Sequence, residues 1–288
     1  MKAIQYEAPG SIAAAVALLA DSEDGRVLAG GTDLLVQMRA GLRRPGLIVD
    51  VKQIAEMCSI EQSDGGFVVG AAASGAELGE HAALKAAWPG VVEGLELVGS
   101  TQIQGRASLG GNLCNGSPAA DSVPALIAGG AVALIAGPSG RREADVASVV
   151  TGPGQISLAN GELVVAFRLP ARPANSSDAY LRFIPRTEMD IAVVGAAINL
   201  TLDDGGTCTD ACVVLGAVAP TAVVVPDAAA ALIGSKLEAS ALEAVAAAAS
   251  AACNPIDDKR GTVEYRIKVA GVLAKRAAVI AADRARSN

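Results

Sequence analysis

Aromatic and histidine side chains are scarce in this chain of 288 residues. Three phenylalanines, three tyrosines and one tryptophan make up only 2% of it, whereas 51% of all residues are hydrophobic. The core must therefore be built mainly from alanine, valine, leucine and isoleucine. The single histidine, His81, would have to carry any His-based zinc site or Ser-His-Asp triad alone. We expect it to be a surface or boundary residue of a helix.

Cysteine is sparse and scattered, with five residues in the whole chain. Only Cys208 and Cys212 lie close together, and a C-x-x-x-C spacing alone is a weak indication of either a metal site or a disulfide. The others are Cys58, Cys114 and Cys253. Too few of them stand at ligand spacing for an iron–sulfur cluster.

Positive charge and long apolar runs are also lacking. A net charge of −7 and a pI near 4.9 argue against nucleic acid and give no support for binding an anionic membrane surface. The first 21 residues show no basic segment followed by an apolar one, so we expect no secretory signal. The longest apolar run, Val123–Gly137, is interrupted by two glycines and is too short for a transmembrane segment. The expected compartment is the cytoplasm.

The length of the chain suits two domains. A polar, proline-containing stretch at 170–177 is typical of a linker between them. We therefore expect one domain at 1–175 and a second at 178–288.

The first informative stretch is A-G-G-T-D, residues 29–33. It follows a short apolar strand pattern at 26–29 and precedes a helix pattern that Thr32 or Asp33 can cap. A strand, a Gly-Gly turn and a helix start would offer unpaired backbone N–H groups to an anion. On its own, this motif is better explained as an ordinary tight turn.

The second stretch is Gly105–Leu126, which is rich in glycine, serine and asparagine and has no lysine. Gly110 and Gly111 would let the backbone approach a ligand without a Cβ clash. Ser108 and Asn112 add short polar side chains. With the first stretch, about eighty residues away, they suit a dinucleotide diphosphate that is bound mainly by backbone N–H groups.

Asp121 lies just before an apolar helix pattern at 123–128. It is an N-cap, a ligand acceptor, or both. Ser117 and Pro118 are an alternative start for the same helix. The chain has neither G-x-x-x-x-G-K-[ST] nor G-x-G-x-x-G between a strand and a helix, so it lacks the signals of a P-loop and of the usual dinucleotide fold.

The remaining patterns predict ordinary elements. In the first half they are an edge strand at 1–5, a helix from Ser11, strands at 47–50 and 67–70 joined by a turn at 64–66, a helix from Ser74 that includes His81, a helix at 91–98, and apolar runs at 131–136 and 161–169. In the second half they are a long strand at 191–202, a hairpin turn at 203–206, a returning strand at 212–217, and helices at 228–233, 239–253 and 264–282. The second half is therefore α+β: a small antiparallel sheet with a helical layer.

Four motifs, in order along almost the whole chain, carry a family resemblance. They are A-G-G-T-D at 29–33, Q-I-x-x-x-A-S-L-G-G-N-x-x-x-x-S-P-x-x-D at 102–121, R-x-x-x-R-x-x-x-D-I-A at 182–192, and D-x-R-G-x-x-E-Y-R at 258–266. Together they resemble the FAD-binding medium subunit of the molybdenum hydroxylases, the xanthine dehydrogenase and carbon monoxide dehydrogenase family.

The resemblance implies an α+β fold with two domains. The first would be an FAD-binding fold of the vanillyl-alcohol oxidase and cell-wall reductase type, and the second a smaller α+β domain. It also implies sixteen residues that bind the cofactor, with no catalytic or metal-binding residue. Those expected along the FAD diphosphate or beside the cofactor are Ala29, Gly30, Gly31, Thr32, Asp33, Val98, Thr101, Ser108, Gly110, Gly111, Asn112, Leu163, Val164 and Arg182. Asp121 would bind the sugar of the adenosine part, and Ile191 would pack over the isoalloxazine ring.

The resemblance further implies an electron-transfer role in an oxidoreductase complex. A large subunit with a molybdenum cofactor would hydroxylate the substrate, and a small subunit would carry two 2Fe–2S clusters. This chain would take the electrons on FAD and pass them to an external acceptor, in a dimer of heterotrimers. The alternatives are a free-standing flavin oxidase or reductase, and a non-catalytic interaction subunit that has lost FAD. The substrate stays open among purines, methylxanthines, N-heterocycles, aldehydes and carbon monoxide.

Two residues depart from the family pattern. Gln104 stands where arginine is common, and Arg182 stands where many members carry lysine. Arginine keeps the charge of lysine, but its planar fork has a different geometry. Both departures concern the detail of the flavin contacts.

Overall fold

The computed structural model describes residues 4–288, and its first part is built on a small parallel sheet. The sheet has the strand order β1-β3-β2, with β3 in the centre. Ser11 caps the first helix, as expected, because its Oγ accepts from the Ala14 N–H at 3.2 Å. Of the expected edge strand at 1–5, residues 1–3 lie outside the described part. The elements are β1 (Gln5–Glu7), α1 (Ile12–Ala20), β2 (Arg26–Leu28), α2 (Leu34–Arg39) and β3 (Leu47–Asp50).

The turn at 64–66 joins different strands from those predicted. It does not connect β3 to the strand at Gly66–Gly70, because a short helix and a further strand intervene. These two elements are a single helical turn and a polar, mostly exposed edge strand, so neither shows the hydrophobic periodicity that a sequence pattern needs. They are α3 (Ala55–Cys58) and β4 (Ile60–Ser63), and the strand after the turn is β5 (Gly66–Gly70).

A run of short helices follows, and the predicted capping box at its start is confirmed. The Ser74 Oγ accepts from the Glu77 N–H, and the Glu77 carboxylate accepts from the Ser74 N–H. The single helix expected through His81 is in fact two, because His81 caps the second: its Nδ1 accepts from the Leu84 N–H at 3.1 Å. The helices are α4 (Gly75–Glu80), α5 (Ala82–Ala87), α6 (Pro89–Glu96), α7 (Thr101–Gln104), α8 (Leu109–Cys114) and α9 (Ser122–Ala128).

A five-stranded antiparallel sheet completes the first half. Its order is β4-β5-β10-β6-β7, and the two apolar runs predicted as strands lie at its centre. The elements added here are β6 (Val132–Gly137), β7 (Gly140–Asp145), α10 (Val146–Val149), β8 (Val150–Gly152), β9 (Gln155–Ile156) and β10 (Leu163–Leu169).

The second half is an antiparallel sheet covered by helices, as predicted. The hairpin at 203–206 joins two nine-residue strands, and Gly206 has the positive φ of 79° that such a turn requires. The predicted strand at 191–202 starts only at Val194, so Ile191 precedes the sheet. The elements are β11 (Ser176–Phe183), β12 (Val194–Leu202), β13 (Cys208–Gly216), β14 (Val223–Val224), α11 (Pro226–Leu232), α12 (Ala239–Ala251) and α13 (Val263–Ala285).

Two aliphatic cores hold these halves, and charged groups join them. The first core lies mainly before residue 170 and the second mainly after 178. Arg172 stacks on Trp88 at 3.7 Å and pairs with buried Asp178, whose other oxygen accepts from the Val91 N–H. Ser176 begins β11, so the last residues of the stretch predicted as a linker are buried strand residues. The division into domains at 175 and 178 stays a prediction.

Candidate cofactor site

A cavity of about 490 Å³ lies where β2, α8 and the start of β10 meet. Both glycine-containing loops line it, together with the segment that leads into β10. Twelve of the sixteen predicted cofactor residues are thus brought to one place. They are Ala29, Gly30, Gly31, Thr32, Asp33, Val98, Ser108, Gly110, Gly111, Asn112, Leu163 and Val164.

The first loop, Gly30–Asp33, offers unused hydrogen-bond donors. It leaves β2 and leads into α2, and Gly31 has a φ of 78°, which favours glycine. Across the described range 4–288, the four N–H groups of Gly30 to Asp33 make no hydrogen bond within the protein. Asp33 occupies the N-cap position of α2, but its side chain makes no cap hydrogen bond. The loop is therefore a set of backbone donors that a bound anion can satisfy.

Lys52 supports this loop from behind. Its Nζ donates to the Ala29 carbonyl at 2.9 Å and to Asp50 Oδ1 at 2.7 Å, and the Tyr6 hydroxyl donates to Asp50 Oδ2. Lys52 was not among the residues predicted for the site. Because β2 and β3 are parallel neighbours, the residues that follow each strand meet at the same edge of the sheet.

In the second loop, Ser108–Asn112, the N–H groups of both glycines already have partners within the protein. The Ser108 Oγ caps α8 by accepting from the Gly111 N–H at 3.2 Å, and the Gly110 N–H donates to the Ala71 carbonyl at 2.9 Å. Asn112 Oδ1 accepts from both the N–H and the hydroxyl of Ser122. Within the described chain the Asn112 Nδ2 has no partner, so this amide is a donor at the cavity wall.

The glycines serve close contacts within the protein more than close approach of a ligand. A Cβ on Gly30 would lie 1.7 Å from the Arg106 carbonyl oxygen, and one on Gly110 would lie 2.6 Å from the Ala71 carbonyl oxygen. Only at Gly111 would a Cβ meet nothing closer than the Ser108 Oγ, at 3.2 Å. Gly30 thus allows the two loops to touch, and Gly111 is the position of the pair whose side-chain space remains open to a ligand.

Asp121 and Arg182 do not line the cavity but bind one another. Arg182 Nη1 donates to Asp121 Oδ2 and the Tyr180 hydroxyl donates to Asp121 Oδ1, both at 2.8 Å. Burial raises the pKa of Asp121 to about 6, against the opposing influence of Arg182 and Tyr180. Asp121 directly precedes α9 and makes no side-chain cap bond, so the helix does not start at Ser117–Pro118.

Thr101 and Ile191 also stand outside the cavity lining. Thr101 is the exposed first residue of α7, and Ile191 is 52% exposed. The loop before Ile191 nevertheless touches the cavity wall region, because the Met189 N–H donates to the Gly99 carbonyl and Val98 lines the cavity. The role predicted for these two residues, and for Asp121 and Arg182, stays a prediction.

Gln104 has a structural use in place of the expected arginine. Its amide nitrogen donates to the Glu96 carbonyl, and to the Val98 carbonyl at 3.4 Å. It therefore fixes the chain that leads from α6 to the cavity-lining Val98. An arginine at this position would place a charge where the structure uses a neutral amide.

One further stretch of the cavity wall was not foreseen. It connects β8 to β10 and contains the two-residue strand β9, which is too short to offer a periodic pattern. Its cavity-lining members are Gly154, Ile156, Leu158, Ala159, Asn160, Gly161 and Glu162.

The cavity wall carries charges of both signs. Arg26 and Arg43 line it. The cavity therefore offers a phosphate two cationic side chains in addition to the backbone N–H groups that were expected to bind it. Burial raises the pKa of Asp33, the acidic member of the first loop. Glu162 is already neutralised by its pair with Arg142. Among residues 4–288 no group of three His, Cys, Asp or Glu side chains is placed to hold a metal ion.

The cavity fits a long ligand that carries a diphosphate. The first loop with its unpaired N–H groups and two arginines line the same cavity, whose wall also includes Asn112 and the stretch before β10. Backbone donors suit phosphate oxygens, and the Gly111 position leaves room for close approach. The fold and the cavity therefore define a dinucleotide-binding protein without the usual G-x-G-x-x-G loop.

Comparisons with known proteins agree with this class. Residues 2–172 match the family model for the FAD binding domain in molybdopterin dehydrogenase, and residues 179–280 match the CO dehydrogenase flavoprotein C-terminal domain. The chain is 35% identical to the carbon monoxide dehydrogenase medium chain of Afipia carboxidovorans, covering 98% of each chain. It is 30% identical to a putative xanthine dehydrogenase FAD-binding subunit of Escherichia coli, covering 94% of this chain and 93% of the other.

A solved structure shows the same fold. The match to a chain of Cu,Mo-CO dehydrogenase in its cyanide-inactivated form has a TM-score of 0.93 at 34% identity and covers 98% of both chains. The chain belongs to the family of FAD-binding medium subunits of molybdenum hydroxylases. It is an FAD-binding flavoprotein subunit of an oxidoreductase, with the α+β fold that the motifs predicted. No helix in residues 4–288 has the length and apolarity needed to cross a membrane.

Proposed function

We propose that this chain is the electron-exit subunit of a molybdenum hydroxylase complex. It receives electrons from the 2Fe–2S clusters of a small subunit and passes them from FAD to an external acceptor. A large subunit with a molybdenum cofactor hydroxylates the substrate. The observation that carries the proposal is the cavity formed by two glycine-containing loops, whose wall includes the four unpaired N–H groups of Gly30 to Asp33 and, elsewhere, two arginines.

Each of these groups has a physical task at the cofactor. The N–H groups of Gly30 to Asp33 bind diphosphate oxygens, and the Asn112 amide donates to a polar group of the cofactor. Lys52 keeps the loop in shape through the Ala29 carbonyl. FAD, when bound, supplies the ability to take electrons singly and to release them in pairs. The protein positions the cofactor and controls what reaches it.

The cysteines of the described chain favour a donor outside it. All five are free, and burial raises the pKa of the Cys114 thiol to about 12 and those of Cys208 and Cys253 to about 11. Such thiols are inert and are not gathered at one place, whereas iron–sulfur clusters need several thiolates together. This supports placing the clusters in a separate small subunit. The proposed assembly is a dimer of heterotrimers in the cytoplasm, as the family resemblance implies.

The proposal is tested on the purified complex. FAD is removed by dialysis against a mild chaotrope and then added back, and the control is complex taken through the same dialysis with FAD present. Candidate substrates are purines, methylxanthines, N-heterocycles, aldehydes and carbon monoxide. Without FAD, substrate should still bleach the iron–sulfur absorbance, but reduction of the external acceptor should stop. Acceptor reduction that survives complete loss of FAD would contradict the electron-exit role.

The same preparations separate the two alternative functions. A free-standing flavin oxidase or reductase would turn over substrate with this chain alone. An interaction subunit that has lost FAD would contain no flavin in the untreated complex. We expect about one FAD per chain in the complex and no turnover by the isolated chain.

A further inference from the structure

The loop Arg186–Ile191 is strained, exposed and yet firmly held. Met189 has a φ of 53°, a conformation that costs energy for a residue with a side chain. Met189 and Ile191 are 56% and 52% exposed. The Met189 N–H donates to the Gly99 carbonyl at 3.3 Å, which fixes the loop beside the cavity-lining Val98. Such a conformation persists only when its surroundings impose it.

Asp190 is the point at which the loop is held. Its Oδ1 accepts from the N–H of the next residue, Ile191, at 2.8 Å and from Arg260 Nε at 2.9 Å. Its Oδ2 accepts from Arg186 Nε at 3.1 Å. These bonds, Arg260 first, lower the pKa of Asp190 to about 2, which favours its charged form.

Arg260 belongs to a chain of ion pairs that reaches the second core. Its Nη1 lies 3.4 Å from Asp258 Oδ2, and Asp258 Oδ1 accepts from Arg266 Nη2 at 2.7 Å. Arg266 is 3% exposed, and its Nη1 donates to the Val193 carbonyl at 2.7 Å. The two arginines of the D-x-R-G-x-x-E-Y-R motif therefore hold the chain on either side of Ile191.

We propose that Arg260 is a positioning residue for the bound flavin. Through Asp190 it holds the loop Arg186–Ile191, whose Met189 bonds to Gly99 next to the cavity-lining Val98, so that Ile191 packs on the bound flavin. The inference rests on the proposed function, since it needs FAD in the cavity. A large apolar side chain that stands half in water gains free energy when it packs on an aromatic ring system. An ordered loop has already lost the entropy that such packing would otherwise cost.

The test measures how far bound flavin is exposed to solvent in the purified complex. The variants are Arg260→Gln and, on the loop itself, Asp190→Asn. The control is Arg141→Gln, which removes an exposed bidentate arginine–carboxylate pair with Glu56 that makes no contact with the loop Arg186–Ile191. The readout is the quenching of FAD fluorescence by iodide, with FAD per chain determined on the same sample.

We expect Arg260→Gln and Asp190→Asn to keep full FAD content and to raise the iodide quenching constant about threefold or more. The control should stay within the error of the unaltered complex. Arg260→Lys should recover only part of the protection, because lysine cannot hold two carboxylates with a planar fork. In the chain stripped of FAD, both loop variants should also be cut faster by trypsin after Arg186.

Unchanged quenching in Asp190→Asn at full FAD content would overturn the inference and leave the proposed function intact. If Arg260→Gln does not fold, Asp190→Asn alone decides the question. An unaltered complex without FAD would instead overturn the proposed function, so the two failures are distinguishable. Equal effects in the control and in Arg260→Gln would also refute a positioning role.

Discussion

The two glycine-containing loops share a Gly-Gly pair in the sequence and differ in the folded protein. The first, Gly30–Asp33, leaves four N–H groups without a partner in the described part of the chain. The second, Ser108–Asn112, spends the N–H groups of both its glycines on Ala71 and Ser108. One loop therefore offers free backbone donors, whereas the glycine N–H groups of the other are already bonded within the protein.

The comparison shows that a glycine can be required for reasons that its motif does not reveal. Gly30 sits at the contact between the loops, and Gly110 sits at the contact between the second loop and Ala71. Only Gly111 is left open toward a ligand. A dipeptide repeated in one chain can thus serve both binding and packing, and four substitutions should separate these uses.

The largest effect is expected for Gly30→Ala. Its Cβ would lie 1.7 Å from the Arg106 carbonyl oxygen, so the loops must separate. We expect the free energy of unfolding to fall by at least about 3 kcal/mol, the upper end of overpacking costs, and FAD binding to be lost. The measurements are urea unfolding and FAD absorbance per chain. The control is Gly105→Ala, where a Cβ meets only the Gln102 carbonyl oxygen, at 3.5 Å. Normal FAD content in Gly30→Ala would refute the contact between the loops.

Gly110→Ala should separate packing from binding. A Cβ 2.6 Å from the Ala71 carbonyl oxygen should lower the free energy of unfolding by about 1–3 kcal/mol. The folded fraction should still bind FAD, because the donors of Gly30–Asp33 are untouched. FAD titration below the unfolding transition checks this. A stable Gly110→Ala chain that binds no FAD would mean that the second loop is itself the donor set.

Lys52→Met should weaken the first loop without touching the second. The change removes the donor to the Ala29 carbonyl and leaves the buried Asp50 with the Tyr6 hydroxyl and a backbone N–H. We expect about 1–3 kcal/mol of lost stability and roughly tenfold weaker FAD binding, since one buried charge loses its partner. Lys85→Met, which breaks the exposed pair with Glu96, is the matched control and should cost about 0–1 kcal/mol. Equal FAD affinity in both variants would argue against support of the loop by Lys52.

Asp33→Asn should give the smallest effect, visible in the pH dependence of FAD binding. Burial already raises the pKa of Asp33, and a diphosphate nearby raises it further. Asp33 therefore binds a proton more readily with FAD than without it, and FAD affinity should fall as pH rises through the range in which Asp33 loses its proton. The asparagine variant should show a flatter profile in fluorescence titrations from acid to neutral pH. An identical slope in both proteins would place Asp33 away from the diphosphate.

Secondary structure was predicted best where a hydrophobic periodicity continues over many residues. The second half, with its two nine-residue strands, its hairpin turn and its Ala-rich helices, follows the pattern closely. The first half did worse at α3 and β4, which are short, and at β7, which is polar and mostly exposed. Short or polar elements are held by neighbouring strands, and a sequence pattern does not show those neighbours.

The residues of the site likewise divide into those that the sequence predicted and those that it did not. Twelve of sixteen predicted residues line one cavity, and nine of the twelve lie in the two motifs that carry its glycine pairs. Lys52, which supports the first loop without lining the cavity, and the stretch before β10, which does line it, were missed because only strand order brings them to the site. Asp121 and Arg182 fall in the family's motifs, yet in this structure they satisfy one another.

The sequence by itself determined the family, the FAD-binding class and the aliphatic character of both cores, because motifs and composition are local properties of the chain. Tertiary structure alone decided which backbone donors remain free. That choice depends on which carbonyl groups come within reach when distant segments pack together. Ala71 accepts from the Gly110 N–H, whereas no carbonyl in the described chain accepts from the N–H groups of Gly30 to Asp33. It also decided that Arg260 meets Asp190 across 70 residues of chain, since only the folded protein brings their charges together.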